Sequence, residues 1–261
     1  MISLYIHIPF CKSKCKYCDF LSFPKSEYVN AYKEALLKEI NAFDCNDTVK
    51  SIFIGGGTPS LIDSSIIAEI TESLGKFHIA ENAEITIEAN PGTLTDYKLK
   101  TYKENGINRI SMGLQAWQDS LLKTLGRIHT RDEFLKNYCI TSKYFDNINI
   151  DLMFSLPDQT FEMWLETLEN VTALKPKHIS AYSLIVEEGT PFYEMDLNLP
   201  DEETDRKMYH SAIKYLADKG YRQYEISNFA HPGYESIHNT VYWQRGNYKG
   251  FGLGAASLID N

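Results

Sequence analysis

Short runs rich in β-branched and apolar residues recur along the chain, and each is typical of a buried β-strand. These runs cover residues 3–8, 51–56, 84–89, 109–114, 147–154 and 178–185. Between them apolar residues return every three or four positions, which predicts helices. The helical segments cover residues 26–43, 64–77, 93–106, 130–145, 160–174 and 201–220.

The alternation of strands and helices predicts an α/β fold built from six βα units with parallel strands. Six units are too few for a closed eight-stranded barrel, so we expect an open arc, a partial (β/α)6 TIM-like barrel over residues 1–220. In such folds ligands bind at the carboxyl ends of the strands. Residues 221–261 are aromatic and glycine-rich with little helical period. We expect this segment to lead into a C-terminal domain that lies beyond the sequence.

Composition narrows the class of protein. The 261 residues are 43% hydrophobic and 23% charged, as in ordinary soluble proteins. The net charge is −9 and no long run of lysine or arginine is present, so a nucleic-acid partner is not expected. No segment is long and apolar enough for a membrane span, and the first ten residues are typical of a strand and not of a secretory signal. The odd number of cysteines argues against a disulfide framework, and a cytoplasmic location is expected.

Three of the five cysteines, Cys11, Cys15 and Cys18, lie within eight residues directly after the first strand. A structural zinc site needs four ligands, but Cys45 and Cys139 are isolated in helical segments. Three clustered thiolates suit a cubane iron–sulfur cluster with one iron left open to a substrate. Zinc, or three unrelated free thiols, are the alternatives.

Small and polar residues follow the next strands at their carboxyl ends. They are Gly56, Gly57, Thr58, Glu88, Gln115, Arg127 and Asp151. Taken singly, each is an ordinary strand end or turn. Taken together, they suit a nucleoside that carries an amino and a carboxylate group, because Arg127 can hold a carboxylate with two hydrogen bonds and Glu88 can accept ribose hydroxyls.

The spacing Cys-x3-Cys-x2-Cys after the first strand resembles the radical S-adenosylmethionine (SAM) superfamily. The stretches "LYIHIPFCKSKCKYCDF", "FIGGGTPSLI", "IEANPG" and "NIDLMFSLPDQT" resemble one family in it, which holds oxygen-independent coproporphyrinogen III oxidases (dehydrogenases) and HemW heme chaperones. The resemblance implies a 4Fe-4S cluster on the three cysteines and SAM at its open iron. By position it implies Tyr5 beside both cofactors, and Gly56, Gly57 and Thr58 at the SAM amino group. It also implies Glu88 at the ribose, Arg127 at the carboxylate, and Gln115 and Asp151 elsewhere in the SAM site.

Two features favour the chaperone branch. The pattern typical of the oxidases has a fourth cysteine at the position where this chain has Phe20. It also has an extra segment before the first strand. We expect Phe20 to shield the cluster from water. The stretch "HNTVYW" resembles a heme-binding motif of the chaperones, which implies heme contacts from His238, Tyr242 and Trp243. A hydrogen-bonded structural histidine is the alternative for His238.

The chaperone branch implies heme as cargo, respiratory hemoproteins as recipients, and a reductant such as flavodoxin or ferredoxin. It leaves open whether SAM is cleaved, whether the protein forms a homodimer, and whether it touches a membrane peripherally. Two enzymatic alternatives remain. They are radical decarboxylation of the propionates of coproporphyrinogen III, and radical SAM chemistry on an unrelated substrate.

Overall fold

A computed structural model of the chain describes residues 1–24 and 26–260. In it, all six predicted strands and all six predicted helices are present, with ends that shift by a few residues. The first half of the chain forms β1 (Ile2–Ile8), α1 (Val29–Ala42), β2 (Val49–Gly56), α2 (Ser64–Leu74), β3 (Ile79–Ala89), α3 (Asp96–Glu104), β4 (Arg109–Gln115) and α4 (Asp119–Thr124). The second half forms α5 (Arg131–Thr141), β5 (Ile148–Phe154), α6 (Phe161–Ala173), β6 (His178–Ser183), α7 (Glu202–Asp218), β7 (Arg222–Gln223), β8 (Asn228–Ala230), α8 (Ile237–Trp243) and β9 (Tyr248–Phe251).

The strands form one sheet in the order β7-β8-β6-β5-β4-β3-β2-β1-β9. Strands β1 to β6 are neighbours in sequence order and all run parallel. The sheet stays open, because β7 and β9 are its two edges. The predicted partial barrel is therefore confirmed, and the carboxyl ends of its six parallel strands meet at one rim.

Side chains alternate along each strand between the two faces of the sheet. One face packs in the hydrophobic core and the other faces the barrel interior. In β1, Leu4, Ile6 and Ile8 are buried in the hydrophobic core that the sheet shares with the helices. Ser3 and Tyr5 lie on the other strand face because successive side chains point to opposite sides of a sheet. Polar side chains on that face line the inside of the barrel, where Ser51 donates to Ser3, Tyr5 bonds to His7, and Ser51 also bonds to His238 of α8.

The carboxyl-terminal segment completes the sheet at both edges. Strand β8 pairs antiparallel with β6, and β9 pairs parallel with β1, so the segment crosses from one edge of the barrel to the other. Helix α8 lies between these strands and contacts β2. The sequence analysis did not predict this helix. The boundary at residue 220 stays a prediction, since strands on both sides of it belong to one sheet.

Candidate functional site

A cavity of about 130 Å³ lies at the rim formed by the carboxyl ends of the parallel strands. The structure brings ten of the predicted residues to its walls. They are Cys11, Cys15, Cys18, Gly56, Gly57, Thr58, Glu88, Gln115, Arg127 and Asp151. Six separate segments of sequence therefore converge on one pocket, as expected for a fold whose ligands bind at strand ends.

The three thiols face this cavity on the loop that follows β1. Burial raises the pKa of the Cys18 thiol to about 11, and the nearby Cys15 and Cys11 thiols act in the same direction. Within the described part of the chain, no group of three or more His, Cys, Asp or Glu side chains is arranged around a single metal ion. A cubane differs from such a site, because each thiolate binds a different iron of the cluster. Three thiols on one wall therefore fit a cluster with an open iron.

The cysteine loop is held against the end of β2 by main-chain hydrogen bonds. Gly57 N–H donates to the Ile8 carbonyl at 2.9 Å, and Thr58 N–H donates to the Phe10 carbonyl at 2.8 Å. A Cβ atom on Gly57 would lie 2.8 Å from the Phe10 carbonyl oxygen, so only glycine fits this close approach. An ammonium group only donates hydrogen bonds, so it would bind here to main-chain carbonyl oxygens and not to these N–H groups.

Arg127 is fixed by two neighbouring elements. Its Nη2 donates to Asn90 Oδ1 at 2.6 Å and to the Gly113 carbonyl at 3.0 Å, and its Nη1 lies 3.6 Å from Cys15 Sγ. Asn90 also donates to Thr58 Oγ1 at 2.8 Å. The sequence analysis missed Asn90, although it follows Glu88 by two residues in "IEANPG". Asn90 links the β2 end, the β3 end and the guanidinium into one wall.

Three side-chain atoms that line the cavity have no hydrogen-bond partner among the described residues. They are Ser22 Oγ, Gln115 Oε1 and Arg127 Nε, and each is buried. Gln115 also has a left-handed backbone, with φ of 68°, which is strained for a residue other than glycine. Buried polar atoms are rarely left without partners, so the cavity fits a polar ligand such as SAM that supplies both donors and acceptors.

Two carboxyl groups, Glu88 and Asp151, face the cavity from β3 and β5. Glu88 accepts a hydrogen bond from Gly56 N–H at 3.0 Å. Burial, with Asp151 close by, raises the pKa of Glu88 to about 8. Burial also raises the pKa of Asp151, although Asn149 and Ser111 donate hydrogen bonds to its carboxyl and oppose the shift. The pair is therefore not fully ionised near neutral pH.

Tyr5 and Phe20 differ from the other predicted residues in position. Tyr5 lies below the cavity, where its hydroxyl bonds to His7 Nδ1 at 3.0 Å and its ring packs on Phe53. Phe20 borders the cavity, but its side chain is 66% exposed. The ring is thus part of the entrance and not a cover buried over the thiols.

The predicted heme residues lie on α8, apart from the cavity walls. The His238 side chain is 1% exposed. Its Nδ1 lies 2.9 Å from Ser51 Oγ, and its Nε2 lies 2.8 Å from the Tyr242 hydroxyl. Since Ser51 already donates to Ser3, Ser51 accepts from Nδ1–H and Nε2 accepts from Tyr242. Burial lowers the pKa of His238 to about 3, so the ring is neutral and both its nitrogens are engaged.

The other two members of this group are accessible. Tyr242 is 39% exposed and Trp243 is 57% exposed. An inner chamber of about 410 Å³ shares Glu88, Asp151 and Tyr182 with the cavity and extends to Asn239 of α8. The barrel interior thus joins the rim to the helix that carries the "HNTVYW" sequence.

A chain of hydrogen bonds also spans the barrel interior. Ser236 N–H, at the start of α8, donates to the Tyr224 hydroxyl at 3.2 Å, which lies 2.7 Å from His178 Nε2. His178 Nδ1 lies 2.6 Å from Asn149 Oδ1, and Asn149 Nδ2 donates to Asp151 Oδ1 at 2.7 Å. Because an amide oxygen only accepts, His178 donates from Nδ1, and Nε2 accepts from Tyr224. Every donor therefore points along one direction, from α8 toward the Asp151 carboxyl.

Comparison with known proteins identifies the family. A family model described as the radical SAM superfamily matches residues 5–171. The heme chaperone HemW of Buchnera aphidicola (subspecies Schizaphis graminum) is 42% identical over 265 residues, which cover 99% of this chain and 70% of that protein. The chain belongs to the HemW branch of the radical SAM superfamily. HemW of Escherichia coli K12 is 40% identical over 266 residues, with 99% of this chain and 70% of that protein covered.

A solved structure agrees with this placement. The structure of coproporphyrinogen III oxidase (HemN) from Escherichia coli, described as a radical SAM enzyme, superposes with a TM-score of 0.86 at 25% sequence identity. The match covers 99% of this chain and 64% of the HemN chain. Membership of the superfamily implies a 4Fe-4S cluster and SAM as cofactors. Among the described residues, no helix has the length and apolar composition needed to cross a bilayer.

Proposed function

We propose that the protein is a heme chaperone that uses a 4Fe-4S cluster and SAM, and that it delivers heme to respiratory hemoproteins. The observation that carries this proposal is the similarity to HemW proteins along nearly the whole chain, at 42% and 40% identity for the two relatives above. Phe20, in place of the fourth cysteine of the oxidase pattern, supports the same choice.

In this proposal Cys11, Cys15 and Cys18 would hold the cluster, which when bound would supply the reducing electron for SAM chemistry. Arg127, already oriented by Asn90 and Gly113, holds the SAM carboxylate through its unpartnered Nε. The backbone at Gly56, Gly57 and Thr58 accepts from the SAM amino group. Glu88 binds the ribose, and Gln115 and Asp151 line the remaining wall. Tyr5 does not line the cavity, and in this proposal it lies near the two cofactors with its hydroxyl bonded to His7.

Heme is bound through α8 in this proposal. A neutral imidazole is a common axial ligand of heme iron, and His238 is neutral. The exposed Trp243 and Tyr242 rings offer aromatic surface to a porphyrin face. The two nitrogens of His238 are engaged with Ser51 and Tyr242, so iron ligation requires at least the release of Tyr242.

The remaining partners follow from the same assignment. A small protein of the flavodoxin or ferredoxin type would be the reductant for a cluster held at the three cysteines, and the proposed location is the cytoplasm. Homodimer formation and peripheral contact with a membrane are compatible with delivery to respiratory hemoproteins.

A second function, oxidative decarboxylation of coproporphyrinogen III, is favoured by one observation. The chain superposes on HemN with a TM-score of 0.86, and the barrel holds an inner chamber beside the proposed SAM cavity. This alternative needs turnover of a porphyrinogen, which a carrier does not require.

The deciding experiment joins a turnover assay with a heme titration. The anaerobically reconstituted protein is incubated with reductant, SAM and coproporphyrinogen III, and mass spectrometry follows protoporphyrinogen and 5′-deoxyadenosine. In parallel, ferric heme is titrated into wild type, His238→Ala and His210→Ala. His210 is an exposed histidine on α7 and serves as the matched control.

We expect no porphyrinogen product, and we expect heme affinity to fall at least tenfold in His238→Ala alone, which corresponds to about 1.4 kcal/mol. Formation of protoporphyrinogen would overturn the chaperone assignment. Equal heme affinity in wild type and His238→Ala would remove His238 from the heme site.

A further inference from the structure

Glu84, on β3, holds the start of α8. Its carboxylate accepts hydrogen bonds from Ser236 Oγ, Ile237 N–H and His238 N–H, each at 3.1 Å. The first N–H groups of a helix have no partner within the helix, so they need an acceptor from outside it. Glu84 supplies that acceptor for two successive residues of α8, one of which is the proposed heme ligand.

The contact is buried and charged. Glu84 is 6% exposed, and Arg109 Nε lies 4.0 Å from its carboxylate with an exposure of 2%. Hydrogen bonds to an ionised group are stronger than neutral ones, and water does not screen them at this depth. The Tyr224 hydroxyl adds a further bond to Ser236 N–H at 3.2 Å. Helix α8 is therefore fixed by its amino end, while Tyr242 and Trp243 at its other end are exposed.

Fixing the amino end of α8 also fixes His238 inside the barrel. The imidazole lies against Phe53, with ring centroids 5.2 Å apart, and bonds to Ser51 through Nδ1. With an exposure of 1%, the ring has no open face for a porphyrin. Heme iron can reach Nε2 only after His238 leaves this place, and the three Glu84 bonds oppose that movement.

We propose that Glu84 is a positioning residue that controls the access of heme iron to His238. The proposal rests on heme binding through His238, stated above. In the closed arrangement, the Glu84 carboxylate keeps α8 in the barrel and the imidazole is hidden. In the open arrangement, the start of α8 leaves Glu84, Nε2 separates from Tyr242, and the iron takes its place. The association rate of heme then scales with the small fraction of open molecules.

The test compares heme association rates in variants of the whole chain. Glu84→Gln keeps one acceptor oxygen and the side-chain size but removes the charge. Ser51→Ala removes the bond to His238 Nδ1 without touching the Glu84–Arg109 pair, so it tests whether the buried position of His238 limits heme access even if Glu84→Gln folds poorly. The matched control is Glu81→Gln, an exposed glutamate on the same strand. Stopped-flow absorbance follows the binding of ferric heme, and the spectrum of the complex reports its axial ligand.

We expect heme to associate about tenfold faster with Glu84→Gln, and faster with Ser51→Ala than with wild type, with unchanged spectra of the final complexes. Glu81→Gln should behave as wild type. Equal rates in wild type, Ser51→Ala and a folded Glu84→Gln would overturn the proposal, while a loss of binding in His238→Ala would still support the heme site. If His238→Ala bound heme with the wild-type spectrum, the heme site and this proposal would both fail.

Discussion

Two carboxyl groups share the rim cavity, and hydrogen bonds from the protein oppose the effect of burial on each. Glu88 receives a hydrogen bond from Gly56 N–H, and Asp151 receives its bonds from Asn149 and Ser111. Burial disfavours the charged form of both. The cofactor-free cavity therefore keeps a proton on its carboxyl groups. A ligand rich in hydroxyl groups can accept a hydrogen bond from this proton or displace it.

The raised pKa of Glu88 predicts how stability changes with pH. In the folded protein Glu88 holds its proton up to about pH 8, whereas its ordinary pKa is 4.5. The folded state thus binds more protons between these values, and its free energy of unfolding falls as the pH rises through them. Glu88→Gln should reduce this fall and stabilise the cofactor-free protein by about 2 kcal/mol at pH 9.

Urea unfolding at pH 6 and pH 9 measures this effect. The exposed Glu81 provides the control, because Glu81→Gln should leave the difference between the two pH values unchanged. If Glu88→Gln and wild type showed the same difference, Glu88 would be ionised in the folded protein.

At the residue scale, the sequence predicted the side chains that lie near one another along the rim. The cysteine spacing and the strand-end position of Glu88 followed from the short-range pattern, whereas Arg127 lies at no strand end but in the loop between α4 and α5. Asn90 was missed because its role depends on contacts with Thr58 and Arg127, which lie 32 and 37 residues away. For His238 the sequence left a hydrogen-bonded structural histidine as the alternative, but it could not identify the partner Ser51, which is 187 residues away.

Among the elements, the junction of β1 and β2 matters most for the cysteine loop. Gly57 lies where the chain after β1 crosses the end of β2, and a Cβ there would meet main-chain atoms of Phe10 and Ile8 at 2.8 to 3.0 Å. Main-chain atoms cannot move aside as a flexible side chain can. The loop that carries the thiols therefore depends on a glycine that directly follows a different strand.

Gly57→Ala should separate β2 from the cysteine loop. We expect a loss of about 2 kcal/mol in stability, from overpacking, and a lower iron and sulfide content after reconstitution. Gly246→Ala is the control, because its Cβ would meet a side-chain atom, Val241 Cγ1, at 3.2 Å. Chemical unfolding and cluster absorbance measure the two effects. If Gly57→Ala had the stability and the cluster content of wild type, the cysteine loop would have adapted to the added Cβ.

The elements that the sequence did not predict are short and depend on distant partners. Helices α4 and α8 have six and seven residues, and β7, β8 and β9 have two to four residues each. A segment of this length contains too few residues to show a period. The longer strands and helices of the βα units were predicted because each is long enough to show at least one full repeat of its hydrophobic pattern.

The whole molecule is acidic, but the cysteine loop is not. The net charge is −9, whereas Lys12 and Lys14 are exposed between the cluster cysteines. An acidic electron-transfer protein would be repelled by most of the surface and attracted here, which directs its approach to the cluster. This local charge supports the proposed reductant of the flavodoxin or ferredoxin type.

Reversing these charges should slow electron entry. We expect Lys12→Glu combined with Lys14→Glu to lower the rate of cluster reduction by flavodoxin about tenfold at low salt, with a smaller effect at high salt because of screening. Stopped-flow absorbance of the cluster measures this rate, and reduction by dithionite should be unchanged. Lys214→Glu on α7 is the control. If flavodoxin reduced the cluster at the same rate in all variants, the electron donor would dock at another part of the surface.

The one-directional hydrogen-bond chain between Asp151 and Ser236 joins the rim to the start of α8 through side chains that are in direct contact. A ligand that moves the Asp151 carboxyl also disturbs the bonds through Asn149 and His178 to the start of α8. Thermodynamic linkage then requires the reverse effect to be equal: if SAM changes the affinity for heme by some factor, heme changes the affinity for SAM by that same factor. Cofactor and cargo could therefore regulate each other while never touching, and a titration of either one in the presence of the other would measure the whole coupling.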